Sequence, residues 1–133
     1  MIDDIDLNKA AIIRRCLGRI AEEYRGEPSS LDDFTTQDSI VLNLLLACEA
    51  AIDLAMHRVA QGRLGIPQTS RDAFQLLTAN AILSQPCATA MKHMVGFRNI
   101  AVHSYQNIQL PILRAILETH LSDFDSYLRE LSL

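Results

Sequence analysis

Apolar residues recur at three- and four-residue steps through most of this chain, the spacing that lines one face of a helix. Ile5, Ile12, Cys16, Ile20 and Tyr24 lie on such steps or their sums and predict a first helix from about Asp4 to Tyr24. Asp3, Asp4 and Asp6 stand at its positive end, and Gly26 and Pro28 close it. A second helix is expected from Thr36, as N-cap, to about Gln61, before Gly62. Ile40, Val41, Leu44, Leu45, Cys48, Ala51, Ile52 and Ala55 cover much of its circumference, so it must be buried on more than one side. In so small a domain one covering surface can be a second copy of the chain.

The stretch from Gly62 to Thr69, with Gly65 and Pro67, reads as a turn. Ser70 then caps a short helix through about Leu83. Pro86 suits the first turn of a fourth helix, which turns Ala90, Met94, Phe97 and Ala101 inward and ends near His103. Tyr105-Gln106-Asn107 is a linker, and Pro111 opens a last helix to about Glu130 carrying Ile112, Ile116, Leu121, Phe124 and Leu128. No alternating strand pattern appears. The expected fold is all-α, an antiparallel bundle of about five helices in one domain spanning residues 1–133, and homodimeric.

Composition agrees with this pattern. Apolar residues are 49% of 133, enough for a packed core, and aromatics only 5% with no Trp. A net charge of −4 argues against coating nucleic acid by bulk electrostatics, but leaves room for a local basic cleft. Cys16, Cys48 and Cys87 are odd in number and form no CxxC pair, which favours reduced buried thiols in a cytoplasmic protein. The acidic N-terminus does not resemble a signal peptide. Asn43, Glu49 and Asp53 interrupt the most apolar stretch, so no membrane span is expected. His57, His93 and His120 have no ligand spacing with a Cys or carboxylate cluster, so neither a metal nor another cofactor is expected.

Unusual chemistry is concentrated between Met94 and Tyr105. Arg98, Asn99, His103 and Tyr105 fall within eight residues, set among apolar ones. On a helix Asn99 and His103 share a face, whereas Arg98 and His103 lie about 140° apart around the axis. A site using both is easier to build where two copies of the segment meet across a two-fold axis. These groups suit metal-free cleavage of RNA. Imidazole can serve as base or acid near neutrality, while guanidinium offers a planar fork to the phosphate and its growing charge. Asn99 can orient the imidazole or bind a phosphate oxygen. Plainer roles exist for each: His103 as a helix cap, Arg98 as a surface cation or dimer ion pair, Tyr105 as a loop anchor. Glu49 and Asp53, four apart, read as helix-pairing or interface carboxylates. Arg14, Arg15 and Arg19 are either a solvated face or an extension of an RNA or partner surface.

The segment Arg98-Asn99-Ile100-Ala101-Val102-His103-Ser104-Tyr105 resembles the Arg-x4-His-x-Tyr motif of the HepT toxins in the HEPN superfamily. The likeness extends to Gln37-Asp38-Ser39-Ile40, to Cys48 through Asp53, to Leu64-Gly65-Ile66-Pro67 and to Ser70-Arg71-Asp72, and so covers almost the whole chain. Ser104 stands where an acidic residue is common. The resemblance implies a five-helix homodimer with metal-independent endoribonuclease activity, with Arg98 and His103 in the cleft between protomers and Asn99 beside them. It also implies a toxin–antitoxin pair, in which an MntA-type nucleotidyltransferase antitoxin transfers AMP from ATP to Tyr105. The reading from a different class is a non-catalytic helical module that binds nucleotides or a partner.

Overall fold

The computed structural model describes residues 1–133. It contains six α-helices and no strand: α1 (Asp4–Tyr24), α2 (Phe34–Gly62), α3 (Ser70–Ala79), α4 (Gln85–His103), α5 (Leu110–Ala115) and α6 (Ser122–Glu130). Short 3-10 turns at Pro28–Asp32 and Tyr105–Asn107 join them, and a π-helical turn, Ile116–His120, links α5 to α6. The last three segments are the single final helix expected from the sequence, with one widened turn inside it.

The first four helices start where a side chain accepts from a free N–H of the first turn, whereas α5 and α6 have no such cap. Asp3 accepts from the Asp6 N–H, and Asp6 returns the bond to Asp3, closing a capping box at α1. The cap of α2 is Asp33, which binds both the N–H and the hydroxyl of Thr36, so Thr36 lies inside the first turn rather than at the cap. Likewise Thr69, not Ser70, caps α3, reciprocated by Asp72. α3 also ends earlier than Leu83. The Asn80 amide binds the Leu76 carbonyl, and Ala81 takes a left-handed φ of 59° that a helix cannot continue.

α2 is long and apolar enough to cross a membrane by length and composition, but here it is the central core helix. It buries Ile40, Val41, Leu44, Ala47, Cys48, Ala51, Leu54, Ala55 and Val59 against the elements around it. α1 makes the largest contact, through Ala10, Ile13, Cys16, Ile20 and Tyr24. The expected stripe needs one correction. Ile5 is 49% exposed, and Asp6, 0% exposed, takes the inward place. That burial is tolerable because the Arg58 Nε donates to Asp6 at 2.8 Å, while Arg58 Nη2 binds the Leu131 carbonyl at 2.9 Å. In the last helix Ile112 is 53% exposed, whereas Leu113, Leu117, Phe124 and Leu128 are buried, so the inward stripe starts one residue later than expected.

Tyr127 ties three helices together. Its hydroxyl donates to the Ala51 carbonyl at 2.9 Å, and its ring meets Phe74 edge-on at 5.6 Å. Full burial of side chains such as Phe74, Ile13 and Leu44 contributes about 1.5–3 kcal/mol each. All three thiols are buried and unpaired. Burial pushes the Cys48 and Cys87 thiols up to about 12.

Candidate active site

α4 carries the segment of interest on its last two turns, and the linker after it carries Tyr105. Ser84 caps the helix start, and the Ser104 N–H closes its end on the Ile100 carbonyl. Met91, Met94, Val95, Phe97 and Ala101 face the core and fix the helix rotation. That rotation decides where each polar side chain goes.

Arg98 points towards α2 and α3 and is 20% exposed. Its Nη2 donates to the Ser70 hydroxyl at 2.7 Å, and its Nε lies 3.3 Å from a Glu49 carboxylate oxygen. The second contact is an ion pair without hydrogen-bond alignment, since Nε is buried and has no hydrogen-bond partner. Charge therefore holds Arg98 against α2, and one hydroxyl fixes its orientation. Glu49 and Asp53 are consequently separated in role: Asp53 pairs with Lys9 of α1 at 3.1 Å, which makes it a helix-pairing group.

His103 is the last residue of α4, is exposed, and makes no hydrogen bond or ion pair. Asn99 lies one turn before it on the same face, half-buried, with no side-chain partner. Within the chain no bond joins Arg98 to His103, as their angular separation predicted. The largest groove on α4, about 490 Å³, includes neither of them; Phe97, Ile100, Ile112 and Ile116 are among its walls.

The Tyr105 hydroxyl donates to Asp38 at the start of α2, 2.5 Å away. Partial burial, and then the neighbouring Asp38 carboxylate, push the phenol up to about 12, so it stays protonated through the physiological range. Tyr105 also shares a shallow depression with Asp38, Val41, Leu42 and Leu45. Leu42 and Leu46 are exposed and lie on one line of α2 with Glu49 and Asp53. An uncovered apolar strip thus runs from beside Tyr105 towards the Arg98–Glu49 pair.

Three partners of the motif, Asp38, Ser70 and Glu49, were invisible in the sequence. Asp38 is 67 residues from Tyr105 and Ser70 is 28 from Arg98, so only the fold reveals the contacts. The structure also joins His57 to carboxylates, contrary to the spacing argument. Asp3 lies 2.7 Å from its Nε2, with Asp6 close by. The oxygens of this cluster already accept from Asp6, His57, Gln61, Asp3 and Arg58, which makes it the cap of α1. Of the first-helix arginines, Arg19 is held by Glu22 and Glu23, and Arg14 binds the Leu133 carbonyl; neither is a free cation.

Comparison with known proteins adds to this geometry. The family described as ribonuclease HepT-like matches residues 13–131. The mRNA nuclease HepT of Shewanella oneidensis is 47% identical over 127 residues, 96% of each chain. A crystal structure of a toxin–antitoxin with AMP-PNP superposes with a TM-score of 0.93 at 46% identity, covering 98% of both chains. A tri-AMPylated Shewanella oneidensis HEPN toxin in complex with MNT antitoxin gives 0.93 at 47%, also covering 98% of both. YutE of Bacillus subtilis, at 13% identity and a TM-score of 0.69 over 90% of this chain and 85% of its own, shares the fold alone.

Proposed function

This chain belongs to the ribonuclease HepT-like family, and from that premise we infer that it is the RNA-cleaving toxin of a toxin–antitoxin pair. The observation that carries the reading is its end-to-end likeness to an mRNA nuclease, with Arg98 and His103 in place on α4. An RNA target and three buried, unpaired thiols support work in the cytoplasm.

In this reading the chemistry is transesterification. The ribose 2′-oxygen attacks its own phosphate, His103 moves a proton as base or acid, and Arg98 binds the phosphate through the guanidinium edge left free by Ser70. The products are a 2′,3′-cyclic phosphate and a 5′-hydroxyl. A metal ion has no step in this scheme. Arg98 and His103 are supplied to one cleft by two protomers, and the exposed strip of Leu42 and Leu46 supports that pairing, since it runs alongside Arg98 and lies uncovered in a single chain. The test is incubation of the purified, unmodified protein with RNA in the presence of EDTA. Cyclic phosphate ends are expected at an undiminished rate, and intact RNA would return the chain to the binding-module class.

Ser70 acts on this chemistry through Arg98. A hydrogen bond to a charged group contributes about 1.5–3 kcal/mol, so Ser70→Ala should slow cleavage by roughly 10- to 100-fold if the whole bond serves the transition state. Ser70→Thr, which keeps the hydroxyl, should recover most of the rate. Equal rates for Ser70→Ala and the parent would remove Ser70 from the site.

The antitoxin is a nucleotidyltransferase of the MNT type, and Tyr105 is the residue it AMPylates. The exposed position of the phenol on the linker supports this choice, because a second enzyme must reach it. Phosphate two residues from His103 repels RNA and offers Arg98 a competing anion. Co-expression with the cognate transferase should add the mass of one or more AMP units, detected on the intact protein. Tyr105→Phe should abolish the adduct; an unchanged adduct on that variant would refute the site.

A further inference from the structure

The nuclease reading explains Arg98, Asn99 and His103, but not two other basic side chains beside them, Lys92 on α4 and Arg71 reaching over from α3. Lys92, Gly96, Asn99 and His103 follow one another at steps of four, three and four residues, a single line along α4. Lys92 is ordered by a neutral partner, the Gln75 amide oxygen, at 2.5 Å, and no carboxylate is paired with it. Gly96 has no side chain, and its place is taken by a neighbour. The Arg71 guanidinium, from the first turn of α3, lies with Nη2 3.1 Å from where a Gly96 Cβ would stand. Arg71 is exposed and has neither a hydrogen bond nor an ion pair. Consecutive arginine contacts from α3 therefore differ in kind: Ser70 spends its hydroxyl orienting Arg98, whereas Arg71 lays an unneutralised charge across the helix.

We propose that Arg71 and Lys92 form phosphate subsites for the RNA strand next to the bond that is cut, extending the site along α4 from His103. The proposal rests on the nuclease reading for its ligand. The line from Lys92 to His103 spans eleven residues, about 16 Å of helix, long enough for several nucleotides of a single strand. Its charges are uncompensated on a chain whose net charge is −4, so the attraction is local and directs the strand to this face. A Cβ at Gly96 would stand against the Arg71 guanidinium and shift it by a few tenths of an ångström.

The experiment measures binding of a fluorescent single-stranded RNA to the His103→Ala protein as a function of NaCl concentration. Each phosphate contact on a single strand contributes about 0.7 to the slope of log K against log salt. Arg71→Gln and Lys92→Gln should each make the slope shallower by about that amount and weaken binding at low salt, with additive effects in the double variant. Arg129→Gln, on α6 and off the line from Lys92 to His103, is the control and should leave the slope unchanged. In the cleaving parent the same substitutions should raise KM by a larger factor than they lower kcat. Slopes that match the parent for both variants would overturn the proposal, even if RNA is cleaved. Weakened capture of the antitoxin with unchanged RNA binding would also overturn it and assign the face to the protein partner. RNA binding that responds as expected, in a protein that never cleaves RNA, would uphold the track and sink the nuclease reading instead.

Discussion

His103→Ala is expected to slow RNA cleavage by about 10²–10⁴-fold, the usual contribution of a positioned general acid or base. The structure makes this an unusually clean substitution. The imidazole is exposed at the end of α4 and makes no bond, so its removal leaves no cavity and no orphaned polar group. The thermal midpoint should therefore stay close to the parent's while the initial rate of cleavage falls. A rate within threefold of the parent, on correctly folded protein, would exclude His103 from the chemistry. Arg98→Ala is less informative, because it strands Glu49 and frees Ser70 as well as removing a phosphate ligand. Arg98→Lys keeps the charge but loses the fork, and should remain strongly impaired while folding normally.

The largest effect on stability should come from Asp6→Ala. Asp6 is fully buried, accepts from Arg58, and closes the capping box that starts α1. Removing it leaves a largely buried guanidinium without its carboxylate, a loss of about 3–5 kcal/mol, and also breaks the cap. Urea unfolding should show the midpoint falling with the slope unchanged. Substituting both partners, Asp6→Ala with Arg58→Met, should cost less than Asp6→Ala alone, since no unpaired charge then remains inside. A loss below 1 kcal/mol for Asp6→Ala would mean that water or another acceptor already serves Arg58.

Helix existence and order were legible in the sequence because they follow from local periodicity and from breakers such as Gly26, Gly62, Pro86 and Pro111. Boundaries were less legible. At α2 and α3 two good capping residues stand close together, and position in the first turn, not residue type, decides between Asp33 and Thr36 or between Thr69 and Ser70. The inward place of Asp6 ran against its polarity; only Arg58, far along the chain, makes it tolerable. The motif residues on α4 were readable because they are neighbours in sequence. Their partners Asp38, Ser70 and Glu49 were not, because α2 and α3 are brought to α4 by packing alone.

The three thiols carry a consequence of their own. Cys16, Cys48 and Cys87 are all sealed in the interior, and the thiolate form that peroxide or an alkylating reagent attacks is strongly disfavoured at Cys48 and Cys87. Thiol-directed reagents thus have little handle on the folded chain: attack on the cysteines must wait for the bundle to open. The labelling rate of its cysteines becomes a clock for that opening.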